Sequence, residues 1–258
     1  MFEVSVLASG SSGNCVYIGT DKAEILIDAG ISCRQICLRL EMIGKSIQDI
    51  QGIFITHEHT DHVRGVAVLA RRYDIPVFLN KGTFENCAIP IENSRIIKTD
   101  REMDFCGLQI LPFSKSHDAH DPVSYLIKNG GKKVSVITDV GFCCDNVKHS
   151  IKECDLIVLE SNHDMEMLQN GPYPPYLKKR IAGAKGHLCN YDAAVAILEH
   201  GNKNLRHALL SHLSLHNNTP ECALQTFTSI VQQRSDLKHL QTRLSYRDAP
   251  TELIRLGV

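Results

Sequence analysis

Three imidazoles and an aspartate fall within six consecutive residues: His57, His59, Asp61 and His62, in the stretch Thr56-His57-Glu58-His59-Thr60-Asp61-His62. Imidazole is the commonest protein metal ligand, and carboxylates complete divalent sites. A loop that only has to be solvated gains nothing from this crowding. The zinc-protease arrangement His-Glu-x-x-His does not fit, because its second histidine would fall on Asp61. The chemistry suggested is divalent-metal binding through a His-x-His-x-Asp-His array, with water activation and hydrolysis as the natural use of such a centre.

The array needs a rigid support. An apolar run, Gly52-Ile53-Phe54-Ile55, leads into it and reads as a buried strand. Alternation along an extended segment sends His57 and His59 the same way. A helix is expected over 63–73, with Val66, Leu69 and Ala70 inward, which puts Asp61 and His62 near its N-terminus, where a carboxylate is favoured. Residues 76–79 supply the next strand, so a βαβ unit with parallel pairing is expected. Upstream, strands at 2–7 and 16–18 flank the turn Ala8-Ser9-Gly10-Ser11-Ser12-Gly13-Asn14, and a third strand ends at Asp28. Ser32 can cap a helix carrying Ile36, Leu40 and Ile43, with Gly44 to stop it.

Downstream, 81–112 reads as a short helix and two weak strands. Asn129-Gly130-Gly131 marks a hairpin between 123–128 and 132–139. A buried strand is expected over 155–160, an amphipathic helix over 192–200, and a strand over 205–210. Thr219-Pro220-Glu221 opens a helix. The tail from Leu237 suggests one edge strand. With no internal repeat or linker, one domain over 1–258 is expected. Five predicted strands end in metal-capable residues: Asp28, His57/His59, Asp139, His163 and His212. His117 follows a sixth apolar segment. Ligands at strand ends on one sheet edge converge, as sites in α/β folds do.

Composition narrows the rest. The 258 residues are 43% hydrophobic and 22% charged, with a formal net charge of -1, so bulk charge does not mark a nucleic-acid binder. Any anionic substrate must be held by metal or by a local patch. Ten cysteines occur without a Cys-x-x-Cys pair, and they read as small buried hydrophobes in a reducing, cytoplasmic protein. No leader and no bilayer-length apolar run are seen, so no membrane role is expected.

The His-x-His-x-Asp-His array and the strand-end ligands resemble the metallo-β-lactamase superfamily, whose fold is an α/β four-layer αβ/βα sandwich. Residues 8–14, the array itself, Ser116-His117-Asp118-Ala119, Thr138-Asp139, Glu160-Ser161-Asn162-His163-Asp164, Gly186-His187 and His212-Leu213-Ser214 resemble the YycJ/WalJ family of bacterial metallohydrolases. That family is associated with exonuclease activity on DNA. The resemblance implies His57, His59 and His117 on one metal, Asp61, His62 and His212 on a second, and Asp139 bridging them. It gives Asp28 a buried structural role around the histidine array. Two divalent ions, zinc or manganese with iron possible, would share a hydroxide that attacks a phosphodiester, and Asp61 would orient it.

Other residues keep alternatives open. His163 is a candidate catalytic residue on the leaving side, a support to the site, or the cap of a helix starting near Asp164. Ser11, Asn14 and His187 are candidate substrate contacts; the Ser9–Asn14 turn can cradle an anion or serve as a plain hairpin turn. Lys178, Lys179, Arg180 and Lys185, near Tyr173 and Tyr176, form the local basic cluster suited to single-stranded nucleic acid, or a solvated helix face. The expected function is a DNA exonuclease. The rivals are a hydrolase of a cyclic phosphodiester, thioester or lactone, and a non-catalytic module.

Overall fold

The computed structural model describes residues 1–257. Its first elements are β1 (Phe2–Ala8), β2 (Cys15–Thr20), β3 (Glu24–Ile27), α1 (Cys33–Met42), β4 (Ile50–Phe54), α2 (Thr60–Val63), α3 (Val66–Tyr73), β5 (Val77–Asn80), α4 (Lys81–Asn86) and β6 (Ser94–Ile97). There follow β7 (Met103–Phe105), β8 (Leu108–Ser114), β9 (Val123–Asn129), β10 (Lys132–Ile137), α5 (Asp145–Glu153), β11 (Leu156–Glu160), α6 (Met165–Asn170) and α7 (Pro175–Ile181). The chain closes with α8 (Asn190–His200), β12 (His207–Ser211), α9 (Pro220–Val231), β13 (Gln241–Leu244) and β14 (Ile254–Leu256). Two compact units divide it. The first takes Met1–Ser114, Ala119–Lys132 and the described chain from Ser245 onward; the second takes Lys115–Asp118 and Lys133–Leu244.

In the first unit the sheet order is β14-β1-β2-β3-β4-β5-β6. The strands β3, β4, β5 and β6 run parallel, as the βαβ pattern requires. Parallel pairing of Ile27 with Phe54 brings the C-terminal ends of β3 and β4 side by side, so Asp28 lies next to the start of the histidine array. Helix α1 begins where Ser32 accepts from the Gln35 N–H, and Gly44 follows its end at φ 72°. Ile36 and Leu40 of α1 and Val66 and Leu69 of α3 are buried in one cluster with Leu26, Ile53 and Ile55 of the sheet.

Below the array, Phe54 stacks on Phe78 at 4.6 Å and meets Phe105 and Tyr125 edge-on at 5.3 and 5.9 Å. Such pairs add about 0.5–1.5 kcal/mol beyond their area. The Tyr125 hydroxyl donates to Ile55 O (2.7 Å) and the Val123 N–H to Thr56 O (2.9 Å), which fixes the backbone entering His57.

Three details of the sequence reading change. The helix expected over 63–73 is two helices, because Gly65 is pulled onto the Ala29 carbonyl (2.8 Å), and a Cβ there would lie 2.3 Å from Ile31 O. Segment 81–112 reaches into three strands, since Cys106 (φ 50°) and Gly107 (φ 80°) turn β7 back onto β8. The tail supplies two strands: β13 pairs with β12, and β14 pairs with β1.

In the second unit β10, β11, β12 and β13 form a parallel ladder. Ile137 pairs with Leu159 and Glu160 with Ser211, so the ends carrying Asp139, Glu160 and His212 are neighbours. Val147 and Ile151 of α5, Ala193 and Ile197 of α8, and Ala223 and Phe227 of α9 are buried. Thr219 caps α9 by accepting from the Cys222 N–H (3.1 Å). Among the described residues no helix is long and apolar enough to cross a membrane.

Candidate metal centre

In the first unit the array is wired to β3. Asp28 is 2% exposed and accepts three hydrogen bonds: from the Thr56 N–H (2.8 Å), the Thr56 hydroxyl (2.9 Å) and His62 Nδ1 (2.7 Å). The Thr56 hydroxyl gives its proton to Asp28, so its lone pair accepts from His57 Nδ1 (2.9 Å). With Nδ1 protonated on both rings, Nε2 is the basic nitrogen of His57 and of His62. His57 Nε2 lies 3.0 Å from His59 Nδ1. Two nitrogens on one tetrahedral zinc would stand about 3.3 Å apart. The Asn14 amide Nδ2 lies 3.1 Å from His62 Nε2 and 3.3 Å from Asp61 Oδ2. One donor thus faces both acceptor atoms that a divalent ion would use.

The second unit repeats the device. His117 Nδ1 donates to Gly186 O (3.2 Å), and His212 Nδ1 donates to Glu160 Oε1 (2.7 Å). Both rings are therefore set to offer Nε2. Burial, against the pull of Asp139, pushes His117 down to about 4, so its imidazole is neutral near pH 7, as ligation requires. Asp139 Oδ1 stands 3.5 Å from His212 Nδ1 and 4.0 Å from His117 Nε2. Ligand atoms of Asp139, Glu160, His187 and His212 all lie within 4.8 Å of one another. All donors are nitrogen or oxygen, which suits zinc, manganese or iron.

Glu160 was assigned no role from sequence. It is fully buried and accepts from His187 Nδ1 (2.8 Å), His212 Nδ1 (2.7 Å) and the N–H groups of Val140 (2.7 Å) and Leu188 (3.3 Å). Burial alone would raise its pKa, but the two imidazoles hold it well below the usual carboxylate range. A charged residue closing the apolar run 156–159 was the available signal. Lys115 was also passed over; it is 7% exposed and its ammonium donates to Thr138 O (2.6 Å).

Asp28, Asp139 and His212 share a further property. Each follows a strand and adopts a left-handed backbone, with φ of 61°, 52° and 59°. Such conformations cost about 1 kcal/mol or more in residues with a Cβ. They are held by the Asp28 carboxylate bonds, by Lys115 and Glu160 around Asp139, and by Asn162 Nδ2 donating to His212 O (2.8 Å).

The remaining candidates are placed as follows. His163 is 1% exposed, with no hydrogen-bond partner for either ring nitrogen among the described residues, and burial lowers its pKa. Asp164, not His163, caps α6. The His187 side chain is 21% exposed. Ser11 is exposed, while Asn14 is buried with its Oδ1 on the Gly10 N–H (2.9 Å). Helix α7 buries no residue; Arg180 on it pairs with Asp118 (3.0 Å), next to His117, and Tyr176 is exposed. His120 points to Glu58 (2.7 Å).

Asp28→Asn and Glu160→Gln test these supports. Each keeps volume but turns an NH₂ toward an imidazole N–H. Divalent-metal affinity is expected to fall about 10–100-fold in each, measured by competition with a chromogenic chelator. Wild-type affinity in either variant would refute that support.

Comparison places the chain in a class. The metallo-β-lactamase fold protein YhfI of Bacillus subtilis superposes with a TM-score of 0.72 over 97% of this chain and 98% of its own, at 12% identity. A profile described as the beta-lactamase superfamily domain matches residues 23–213. The fold expected from the sequence is thus the observed one. At finer grain, the chain is 40% identical over 235 residues to exodeoxyribonuclease YycJ of Bacillus anthracis (89% of each chain). It is 36% identical over 243 residues to exodeoxyribonuclease WalJ of Streptococcus pneumoniae (90% of this chain, 89% of that one). The chain belongs to the YycJ/WalJ family of metallo-β-lactamase-superfamily hydrolases.

Proposed function

We propose that the protein is a dinuclear metal-dependent exonuclease acting on DNA. One observation carries the reading: the match to two exodeoxyribonucleases runs over about nine-tenths of the chains compared. His57, His59 and His117 would hold one ion and Asp61, His62 and His212 a second, with Asp139 available to both. Zinc and manganese both suit this donor set. When bound, the two ions supply a lowered water pKa and positive charge against the phosphoryl oxygens.

The chain's own groups divide the remaining work. Asp61 accepts a hydrogen bond from the attacking water and aims it. His187, fixed through Nδ1 on Glu160 and partly open to solvent, carries at Nε2 the proton taken by the leaving oxygen. His163, the other candidate for this role, is 1% exposed. Ser11, Lys179 and Lys185 are exposed and available to the strand's phosphates. The enzyme is taken as one catalytic domain over 1–258, in keeping with relatives matched over about nine-tenths of the chain. It works in the cytoplasm, where its ten cysteines, all free thiols, remain reduced.

The test is hydrolysis of end-labelled single- and double-stranded DNA and matched RNA, with manganese or zinc and after chelation. Stepwise loss of end nucleotides from DNA, abolished by chelation, is expected. Turnover of small phosphodiesters with no polymer cut would replace the reading with a small-molecule hydrolase.

A further inference from the structure

We propose that Tyr246 and Arg247, with the hydroxyls of Ser11 and Ser12, bind the nucleotide neighbouring the one being cut. Tyr246 offers a platform for its base and Arg247 a fork for its phosphate. The proposal rests on the nucleic-acid reading above and adds a subsite to it.

All of these groups belong to the first unit. Tyr246 is a large aromatic at 50% exposure, in the loop between β13 and β14. That loop is fastened at several points. The Ser9 N–H donates to Tyr246 O (3.1 Å). The guanidinium of Arg39, only 6% exposed, donates through Nη1 to Leu7 O (2.9 Å) and Arg247 O (3.0 Å). Further along, the Thr251 N–H donates to Val6 O (3.0 Å), the Val6 N–H to Thr251 Oγ1 (3.0 Å), and the Ser5 hydroxyl to Thr251 O (2.8 Å). A burial-rich anchor therefore holds up an exposed ring and, beside it, the partly buried Arg247. An aromatic held rigidly in solvent contributes nothing to the core, but it is what base stacking requires.

The same loop is tied to the metal-ligand array. Arg247 Nη1 donates to Ser12 Oγ (2.8 Å). Two residues on, the Asn14 N–H donates to Asp61 O (2.8 Å), and the Asn14 side chain reaches Asp61 and His62. Two residues span at most about 7 Å, so Arg247 stands about one nucleotide from the Asp61 end of the array. One of its five N–H bonds goes to Ser12; the planar fork matches a phosphate. The acid beside it, Asp248, is exposed and is faced by the charge of Arg39.

The experiment uses full-length Tyr246→Leu and Arg247→Gln, checked for unchanged melting temperature. Binding of a fluorescent single-stranded DNA oligonucleotide to metal-free protein is read by anisotropy. Hydrolysis of the oligonucleotide and of bis(p-nitrophenyl) phosphate is read on metal-loaded protein. Tyr246→Leu is expected to weaken oligonucleotide binding roughly 5- to 150-fold. Arg247→Gln is expected to reduce the slope of log K against log salt by about 0.7. In both, the loss of kcat/KM on the oligonucleotide exceeds any loss on the small ester by about fivefold or more. Wild-type affinity and salt slope in both variants, with the wild type cutting DNA, would overturn the subsite alone; equal losses on both substrates would do the same. A wild type that hydrolyses the small ester but neither binds nor cuts DNA would overturn the nuclease reading itself.

Discussion

Asp61→Ala is expected to lower phosphodiester hydrolysis roughly 10³-fold, an order beyond the 10–100-fold typical of removing a group that only supports a ligand. The protein should stay folded. The Asp61 side chain is 22% exposed, and its polar contact with Asn14 is long, at 3.3 Å. Truncating it costs no more than about 1 kcal/mol. The array does not collapse, because His62 is held from the other side by Asp28 and the Asp61 carbonyl still accepts from Asn14. Steady-state kinetics and thermal denaturation on the same preparation check this. Activity within tenfold of wild type would remove Asp61 from both metal binding and water orientation. A large fall in melting temperature would show its role to be structural.

Gly30→Ala should do the opposite and remove the fold of the site together with its activity. A Cβ at position 30 would lie 1.6 Å from the Asp61 carbonyl oxygen and 2.7 Å from the Asn14 nitrogen. Both are backbone atoms and neither can swing aside. They are also interlocked: Gly30 N–H to Asn14 O (2.8 Å), Asn14 N–H to Asp61 O (2.8 Å), Ala29 N–H to His62 O (2.9 Å) and Gly65 N–H to Ala29 O (2.8 Å). Relieving the clash means parting this lattice, at a cost of about 4 kcal/mol or more. That corresponds to a fall in melting temperature on the order of 10 °C. Gly44→Ala is the control. Gly44 has φ 72° but open space around it, so only backbone strain of about 1 kcal/mol applies. Equal melting temperatures for the two variants would mean that β3 and the array are not packed as described.

Much of the architecture was legible because its causes are local. Ser32 and Thr219 cap helices through bonds that reach three residues along the chain. The apolar run before His57 makes a strand from its own composition, and the βαβ spacing dictates parallel pairing. The break at Gly65 was not legible, because it is caused by Ala29 and Ile31, which meet it only in the folded chain. The second tail strand was hidden for a similar reason: β14 is three residues long and exists only because β1 offers an edge.

The site divides along the same line. Which residues can ligate is a matter of side-chain chemistry, and His57, His59, Asp61 and His62 announce it through their spacing alone. Glu160 could not be read that way. Its importance comes from β11 lying between β10 and β12, which sets one carboxylate beside two imidazoles and the turn after Asp139. The sequence by itself named the candidate donor residues and the strand ends that carry them. Only the tertiary structure decided which nitrogen each ring presents. That choice is made by the partner on Nδ1, and those partners come from far along the chain: Asp28 lies 34 residues from His62, Glu160 52 from His212, and Gly186 69 from His117.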